Sequence, residues 1–358
     1  MKIGTITFHR CCNFGGILQC FALVEYLRKE GYDAEVVDYR CKGIERSYSP
    51  IRDFRYFGWK QCVYTALHCV ERYKHRKLFE EFRTKYLPIS NKTFFSKEDF
   101  DRDYDFCLIG SDQVWSNSIS FGIDPIFWGD FSEKIKKVSY AASRATLQTF
   151  TSEELERVKI LLKRFYRISV REKSLQALVK EWIGLDVPVV ADPTLLLKKE
   201  DYERVAEMPQ EDNFIFHYQM EYTPDDKYFV SKLARQLKCK VVTILGRKEE
   251  LDGVENVYIK HTSLSPSMFL GYMLKARCIV ASSFHGTALS IVFRKDFYFL
   301  SNYEVDRPEN LLRQIGALDR SKKPTEDIEF TPVNYGMLES KINRYVDFSK
   351  DFIKESLM

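Results

Sequence analysis

The chain has no apolar run of the roughly 18 residues that a membrane-spanning helix needs. It also lacks a large excess of either charge. Fifty-five Lys and Arg against 51 Asp and Glu leave a formal net charge of +4 over 358 residues. A general nucleic-acid binder carries a concentrated basic face, so nucleic acid is not an expected partner. Glycine and proline are ordinary at 16 and 11, and no repeat or low-complexity segment argues for disorder. The nine cysteines (Cys11, Cys12, Cys20, Cys41, Cys62, Cys69, Cys107, Cys239 and Cys278) are odd in number and scattered. They form no CxxC pair and no His-spaced zinc pattern, so they read as reduced thiols buried as small apolar side chains. Met1 to Phe8 carries one charge and no small-residue cleavage site, and reads as a first strand rather than a signal peptide. The expected compartment is the cytoplasm.

What is present describes a globular protein: 45% of residues are hydrophobic and 30% charged. Length alone, at about 150 residues per domain, argues for two domains or three. Lys2 to Phe8 is strand-like, His9 to Gly16 a polar loop, Ile17 to Leu27 an apolar run at helical spacing, and Ala34 to Tyr39 a second strand. Arg46 to Tyr86 is aromatic and basic, and reads as one or two helices with an Arg/Lys/aromatic face. Strands at Phe106 to Ile109 and Val138 to Ala142 follow, then a helix over Ser152 to Phe165 with a Ser-x-x-Glu style start. A second series has strands at 167–170, 187–190, 214–217, 241–245, 278–281 and 297–300. Its helices fall at 172–182, 229–237, 268–276 and 287–293. This alternation predicts parallel sheets covered by helices. The expected domains are two α/β units, 1–166 and 167–334, with a helix over 335–358 packing back on the first.

In such sheets ligands collect beyond the carboxyl ends of strands, and five polar clusters fall there. His9 to Gly16 precedes the first helix, where backbone N–H groups and the helix dipole favour an anion, or where a tight turn simply needs small residues. In Gly110 to Trp115, Asp112 is placed to position a hydroxyl and Trp115 to stack on a sugar ring. The structural alternative is a capped turn with Trp115 in the core. Arg171 in Ser169 to Lys173 suits bidentate recognition of a carboxylate or phosphate, or an ion pair with a neighbouring acid. Ala191-Asp192-Pro193-Thr194 reads as a turn anchoring Leu195 to Leu197. Ser282 to Thr287 is the strongest cluster. It carries His285, the side-chain type that can give or take a proton in catalysis, and Gly286 lets the backbone approach a ligand closely. His68, His75, His217 and His261 have no comparable setting.

Taken in order, NFGG-x-LQ at residue 13, GSDQVW at 110, SYAAS at 139, SVREKS at 169, ADPTLLL at 191 and SSFHGTALS at 282 resemble the polysaccharide pyruvyl transferase family. The resemblance covers roughly residues 1 to 320. It implies two Rossmann-like domains in a GT-B-like arrangement, with the active site in the cleft between them. The C-terminal domain would take the donor and the N-terminal domain the acceptor. It also implies a reaction: the enolpyruvyl unit of phosphoenolpyruvate moves onto two hydroxyls of a sugar, forming a pyruvate ketal and releasing phosphate, in bacterial exopolysaccharide synthesis. Phosphoenolpyruvate is a donor substrate, and neither cofactor nor metal is implied.

By the family's motifs His285 matches the active-site histidine, as general acid or phosphate ligand. Arg171 matches a residue expected at the substrate anion, and Arg307 a second anion contact. Asn13, Gly15 and Gln19 match the first-loop motif facing the acceptor or shaping the cleft, and Asp112 the acid that positions acceptor hydroxyls. Ser283 stands where some members carry a basic residue, so Arg171, Arg307 or Arg294 would substitute for that charge; Gly286 completes the motif. Arg144-Ala145 follow SYAAS where an aromatic and a glycine are usual. The rival readings are a nucleotide-sugar glycosyltransferase, for which no dedicated nucleotide motif is present, and a non-catalytic carbohydrate-binding subunit. The acceptor's linkage to lipid is left open. The basic aromatic stretch from Arg52 to Lys77 suits either an anionic membrane surface or a solvated helix face.

Overall fold

The computed structural model describes all residues except 145–149, 220–223, 246–249, 252 and 302–305. The chain divides into two compact units, Met1–Leu196 with Val346–Met358, and Leu197–Tyr345. The first holds strands β1 (Lys2–Ile6), β2 (Asp33–Tyr39), β3 (Ile89–Phe94), β4 (Phe106–Ile109), β5 (Lys136–Ala142) and β6 (Arg167–Val170). The second holds β7 (Phe214–Tyr218), β8 (Lys240–Leu245), β9 (Asn256–Lys260), β10 (Cys278–Ala281), β11 (Asp296–Leu300) and β12 (Ser321–Lys322). Their orders are β3-β2-β1-β4-β5-β6 and β12-β11-β10-β7-β8-β9, every pairing parallel. Counted from its own first strand, each sheet reads 3-2-1-4-5-6, the Rossmann order. Central strands such as β4 and β10 are buried along their whole length, as near-continuous apolar runs in a two-sided parallel sheet require.

The expected boundary at 166/167 is wrong. β6 pairs with β5 (Val138 opposite Arg167, Ser139 opposite Ile168) and completes the first sheet. The alternation of strand and helix runs through residue 166 without a break, so periodicity cannot mark the change of sheet; only hydrogen-bond pairing does. The strand expected at 187–190 shrinks to one bridge, Val189 to Val170. Three strands absent from the sequence reading, β3, β9 and β12, are short and partly or wholly polar. The helix expected at Ser152 starts with a capping box one residue earlier, Thr151 with Glu154. The stretch after Arg46 forms helices Trp59–Leu67 and Cys69–Tyr86. The final helix, Tyr335–Ser356, leaves the second unit at Tyr345; Ser349 Oγ then accepts the Ala191 N–H at 2.8 Å, and Phe352 and Ile353 are buried.

His217 lies fully buried on β7, and burial pushes its pKa down to about 3 from 6.5. The unfolded chain therefore takes up a proton below about pH 6.5 that the folded chain refuses. Its contribution is complete above that pH and declines by about 1.4 kcal/mol per pH unit on acidification. His217→Phe should flatten the loss of stability between pH 6.5 and about 5 by one proton's worth, read from urea midpoints. Parallel curves for variant and wild type would refute it.

Candidate active-site residues at the two strand edges

In the first unit the loop after β1 enters the helix Phe14–Lys29 through Asn13, whose Oδ1 accepts the Gly16 N–H at 3.0 Å. Gly15 lies buried in the first turn. Gln19, expected to face the acceptor or shape the cleft, is fully buried and ties the neighbouring loops together. Its Nε2 donates to Thr7 Oγ1 (2.7 Å) and Gly16 O (2.9 Å), and its Oε1 accepts the Ser111 N–H (3.2 Å). A buried amide must satisfy its donors, and both N–H groups of Gln19 are spent within the protein. His9 and Arg10 both bind Asp38: His9 Nε2 lies 3.1 Å from Oδ1, and Arg10 Nε and Nη2 donate at 2.7 and 2.8 Å. Burial would raise the Asp38 pKa, but these donors and the Arg10 charge hold it well below the usual carboxylate range. The basic pair of the first loop is thus neutralised within the protein.

After β4, Gly110 has φ +124°, and a Cβ there would stand 2.2 Å from the Tyr140 carbonyl oxygen, so only glycine fits. Asp112 follows in the left-handed region at φ 66°, its carbonyl accepting the N–H groups of Val114 (2.8 Å) and Ser143 (2.9 Å). Its carboxylate lies between two positive features. Oδ1 is 3.5 Å from Arg171 Nη2, and Oδ2 would be 3.3 Å from a Cβ on Gly16, in the first turn of the helix. Trp115 does not face a sugar. It is fully buried, stacked on Trp128 at 5.0 Å, and donates to the Phe127 carbonyl.

Arg171 leaves the end of β6 into the protein rather than toward open solvent. It is 2% exposed, with Nη1 2.7 Å from Asp192 Oδ2 and 3.4 Å from Ser111 Oγ. Burial alone would lower its pKa, yet Asp192, Asp112 and Glu172 together raise it. The residue expected at the substrate anion is thus engaged by the protein's own carboxylates. Asp192 also accepts the Thr194 N–H and hydroxyl through Oδ1, so the ADPT turn supplies the countercharge and is not a separate site. Glu172 Oε1 accepts the Ser143 hydroxyl and the Arg144 N–H, both at 2.9 Å. The Arg144 guanidinium is buried over the rings of Phe150 (4.1 Å) and Trp182 (5.6 Å).

Arg83 escaped the sequence reading altogether. It is 4% exposed on the helix Cys69–Tyr86, and its guanidinium has no hydrogen bond or ion pair among the described residues; burial lowers its pKa. The signal was available: Arg83 is four residues after Phe79 and one after Phe82, on the face that meets Phe14 and Phe21.

In the second unit β10 delivers Ser282 and Ser283, and the helix Phe284–Val292 begins at once. Expected to contact substrate, Ser283 is the cap, its Oγ accepting the Gly286 N–H at 2.9 Å. Gly286 does allow a close approach, but of the protein to itself: a Cβ would stand 2.8 Å from both Ala281 Cβ and Ser283 Oγ. His285 occupies the first turn, half-buried, its ring perpendicular to Phe284 at 5.2 Å. The adjacent strand β11 leads toward the helix Asp306–Ile315, which packs on Phe284–Val292 and carries Arg307, half-exposed, in its first turn. His285 and Arg307 therefore both lie on helices that start beyond the carboxyl ends of neighbouring strands. Arg294, the other substitute cation, ends the first of these helices on the far side and pairs with Glu339. Among the described residues no three His, Cys, Asp or Glu converge as a metal site, and no helix is long and apolar enough to cross a membrane.

These features define an α/β protein of two Rossmann-like units, with polar side chains gathered at the carboxyl edge of each sheet. The chain belongs to the polysaccharide pyruvyl transferase family, whose family model matches residues 13–303. It is a transferase family with a saccharide acceptor. No curated protein matches the sequence. Among solved structures, the chain is similar to UDP-GlcNAc 2-epimerase from Neisseria meningitidis bound to UDP-GlcNAc. That match has 13% identity and a TM-score of 0.47, and covers 100% of this chain and 99% of that one. The UDP-GlcNAc 2-epimerase of Methanocaldococcus jannaschii is similar at 10% identity and TM-score 0.46, covering 97% and 93%. The ADP-heptose LPS heptosyltransferase II of E. coli is similar at 13% identity and TM-score 0.39, covering 100% of both chains.

Proposed function

We propose that the protein is a ketal-forming pyruvyltransferase that uses phosphoenolpyruvate as donor and two hydroxyls of a saccharide as acceptor. The family match over residues 13–303 carries this reading, and the placement of His285 supports it. His285, as imidazolium, gives its proton to the methylene carbon of phosphoenolpyruvate. The first sugar hydroxyl bonds to the neighbouring carbon and releases its proton to solvent; to Asp112 we give the positioning of acceptor hydroxyls. The second hydroxyl displaces phosphate, which leaves with that hydroxyl's proton as hydrogen phosphate, closing the ketal. The phosphate and carboxylate of the donor are met by Arg307 and by the N–H groups opening the helix Phe284–Val292. In this reading Arg171 fixes Asp112 in place and does not itself bind the anion. No cofactor enters the scheme.

Calorimetric titration of phosphoenolpyruvate into the wild type and Arg307→Ala tests the donor assignment without knowledge of the acceptor. Saturable binding is expected, weakened about tenfold or more in the variant, the scale of one charge-assisted hydrogen bond. Absence of binding even with pooled lipid-linked and nucleotide-linked saccharides would reject the reading in favour of a glycosyltransferase or a carbohydrate-binding subunit.

A further inference from the structure

Between Arg46 and Lys77 the chain carries eight Lys and Arg against two acids, an excess of six where the whole protein's is four. The same stretch is unusually apolar on its outside. Phe54, Trp59, Tyr64, Leu67, Val70 and Tyr73 are each between 59 and 79% exposed. The helix Trp59–Leu67 buries only Thr65. Trp59, Val63 and Leu67 recur every fourth residue along one of its faces, and Val70 and Tyr73 continue the exposed apolar surface into the next helix. Its attachment is polar: Thr65 Oγ1 accepts the Arg52 N–H at 3.1 Å, and Arg72 donates to the carbonyls of Ser49 (2.8 Å) and Pro50 (3.1 Å). Lys60, Lys74 and Lys77 make no ion pair among the described residues.

Aromatic and aliphatic side chains rimmed by unpaired cations are the composition of a helix that lies in a membrane interface. Two copies of this surface would bring like charges together, and lysine is depleted at protein–protein interfaces, so an anionic bilayer is the occupant that both features match. We infer that the helix Trp59–Leu67, with Phe54, Val70 and Tyr73, docks the protein on an anionic lipid surface. The apolar side chains enter the headgroup boundary by about 5–10 Å, and the Lys and Arg lie at the lipid phosphates. The docking does not depend on the proposed chemistry, although it would hold the enzyme where lipid-linked saccharides are displayed.

The protein carries its own probe. Of the four tryptophans, Trp59 is 70% exposed, whereas Trp115, Trp128 and Trp182 are at most 8% exposed. The full chain is titrated with phosphatidylcholine vesicles with and without phosphatidylglycerol, and emission is followed with lipids brominated on their acyl chains. A blue shift and bromine quenching are expected only with the anionic vesicles, weakening as salt is raised. Leu67→Ser should lower partitioning roughly tenfold or more, and Lys60→Gln about fivefold. Trp59→Phe should keep partitioning, measured by co-sedimentation, while removing the quenching. The inference is overturned if wild type ignores anionic vesicles at low salt, if Leu67→Ser partitions unchanged, or if the patch is covered by self-association that Leu67→Ser abolishes without lipid.

Discussion

His285→Ala lowers turnover by at least about a hundredfold with the fold intact, the scale of a lost general acid. The structure separates these two readouts. His285 is half-buried in the first turn, and the helix is held by groups that the substitution leaves alone: the Ser283 cap, Gly286 against Ala281, and a fully buried Ala288, Leu289 and Ile291. Stability should therefore change by less than about 1 kcal/mol, as for most substitutions outside a core. The check is phosphate release in a single turnover, beside a urea unfolding curve. A variant that keeps its rate at saturating phosphoenolpyruvate but binds it weakly would make His285 a phosphate ligand and not the acid. His285→Gln sharpens the distinction, because glutamine can hydrogen-bond a phosphate but cannot protonate carbon.

Arg171→Met removes the countercharge of three buried carboxylates, Asp192, Asp112 and, at 4.0 Å, Glu172. Asp192 is 1% exposed and 2.7 Å from the guanidinium, and Asp112 is 9% exposed at 3.5 Å. Breaking a buried pair by deleting one partner costs about 3–5 kcal/mol, since the other charge stays desolvated. The expected result is a loss of that size in urea unfolding, regained in part when Asp192→Asn is added. The pair is also informative about function: if Arg171 only positions Asp112, the double variant binds phosphoenolpyruvate with unchanged affinity while its turnover falls. A single variant that unfolds like wild type but no longer binds phosphoenolpyruvate would return Arg171 to the substrate anion, the place that the family resemblance gave it.

Much of the fold was legible because it is encoded locally. Apolar runs such as Phe106 to Ile109 and Cys278 to Ala281 could only be buried strands, and the polar clusters that follow them mark the carboxyl edges of both sheets. The six ordered motifs sufficed for the family, which the match over 13–303 shows. Roles within the motifs were less legible. Gln19 has the residue type of a binding site, yet its amide is engaged by Thr7 and Ser111, neighbours that sequence spacing does not reveal, and of the two places open to Trp115 the structure takes the core. Arg83 was overlooked for the converse reason: in a basic stretch its charge looked solvated, and only the packing of Phe79 and Phe82 takes it inside.

The sequence by itself determined the α/β class, the approximate place of most strands and helices, and the family, because hydrophobic period, turn chemistry and ordered motifs are properties of short segments. Tertiary structure alone decided that β6 closes the first sheet, that Arg171 faces Asp192 and Asp112, and that the apolar side chains around Trp59 stay uncovered. Those outcomes depend on which distant groups meet, and the energy of a charge or an apolar surface is set by what surrounds it, not by its neighbours in the chain.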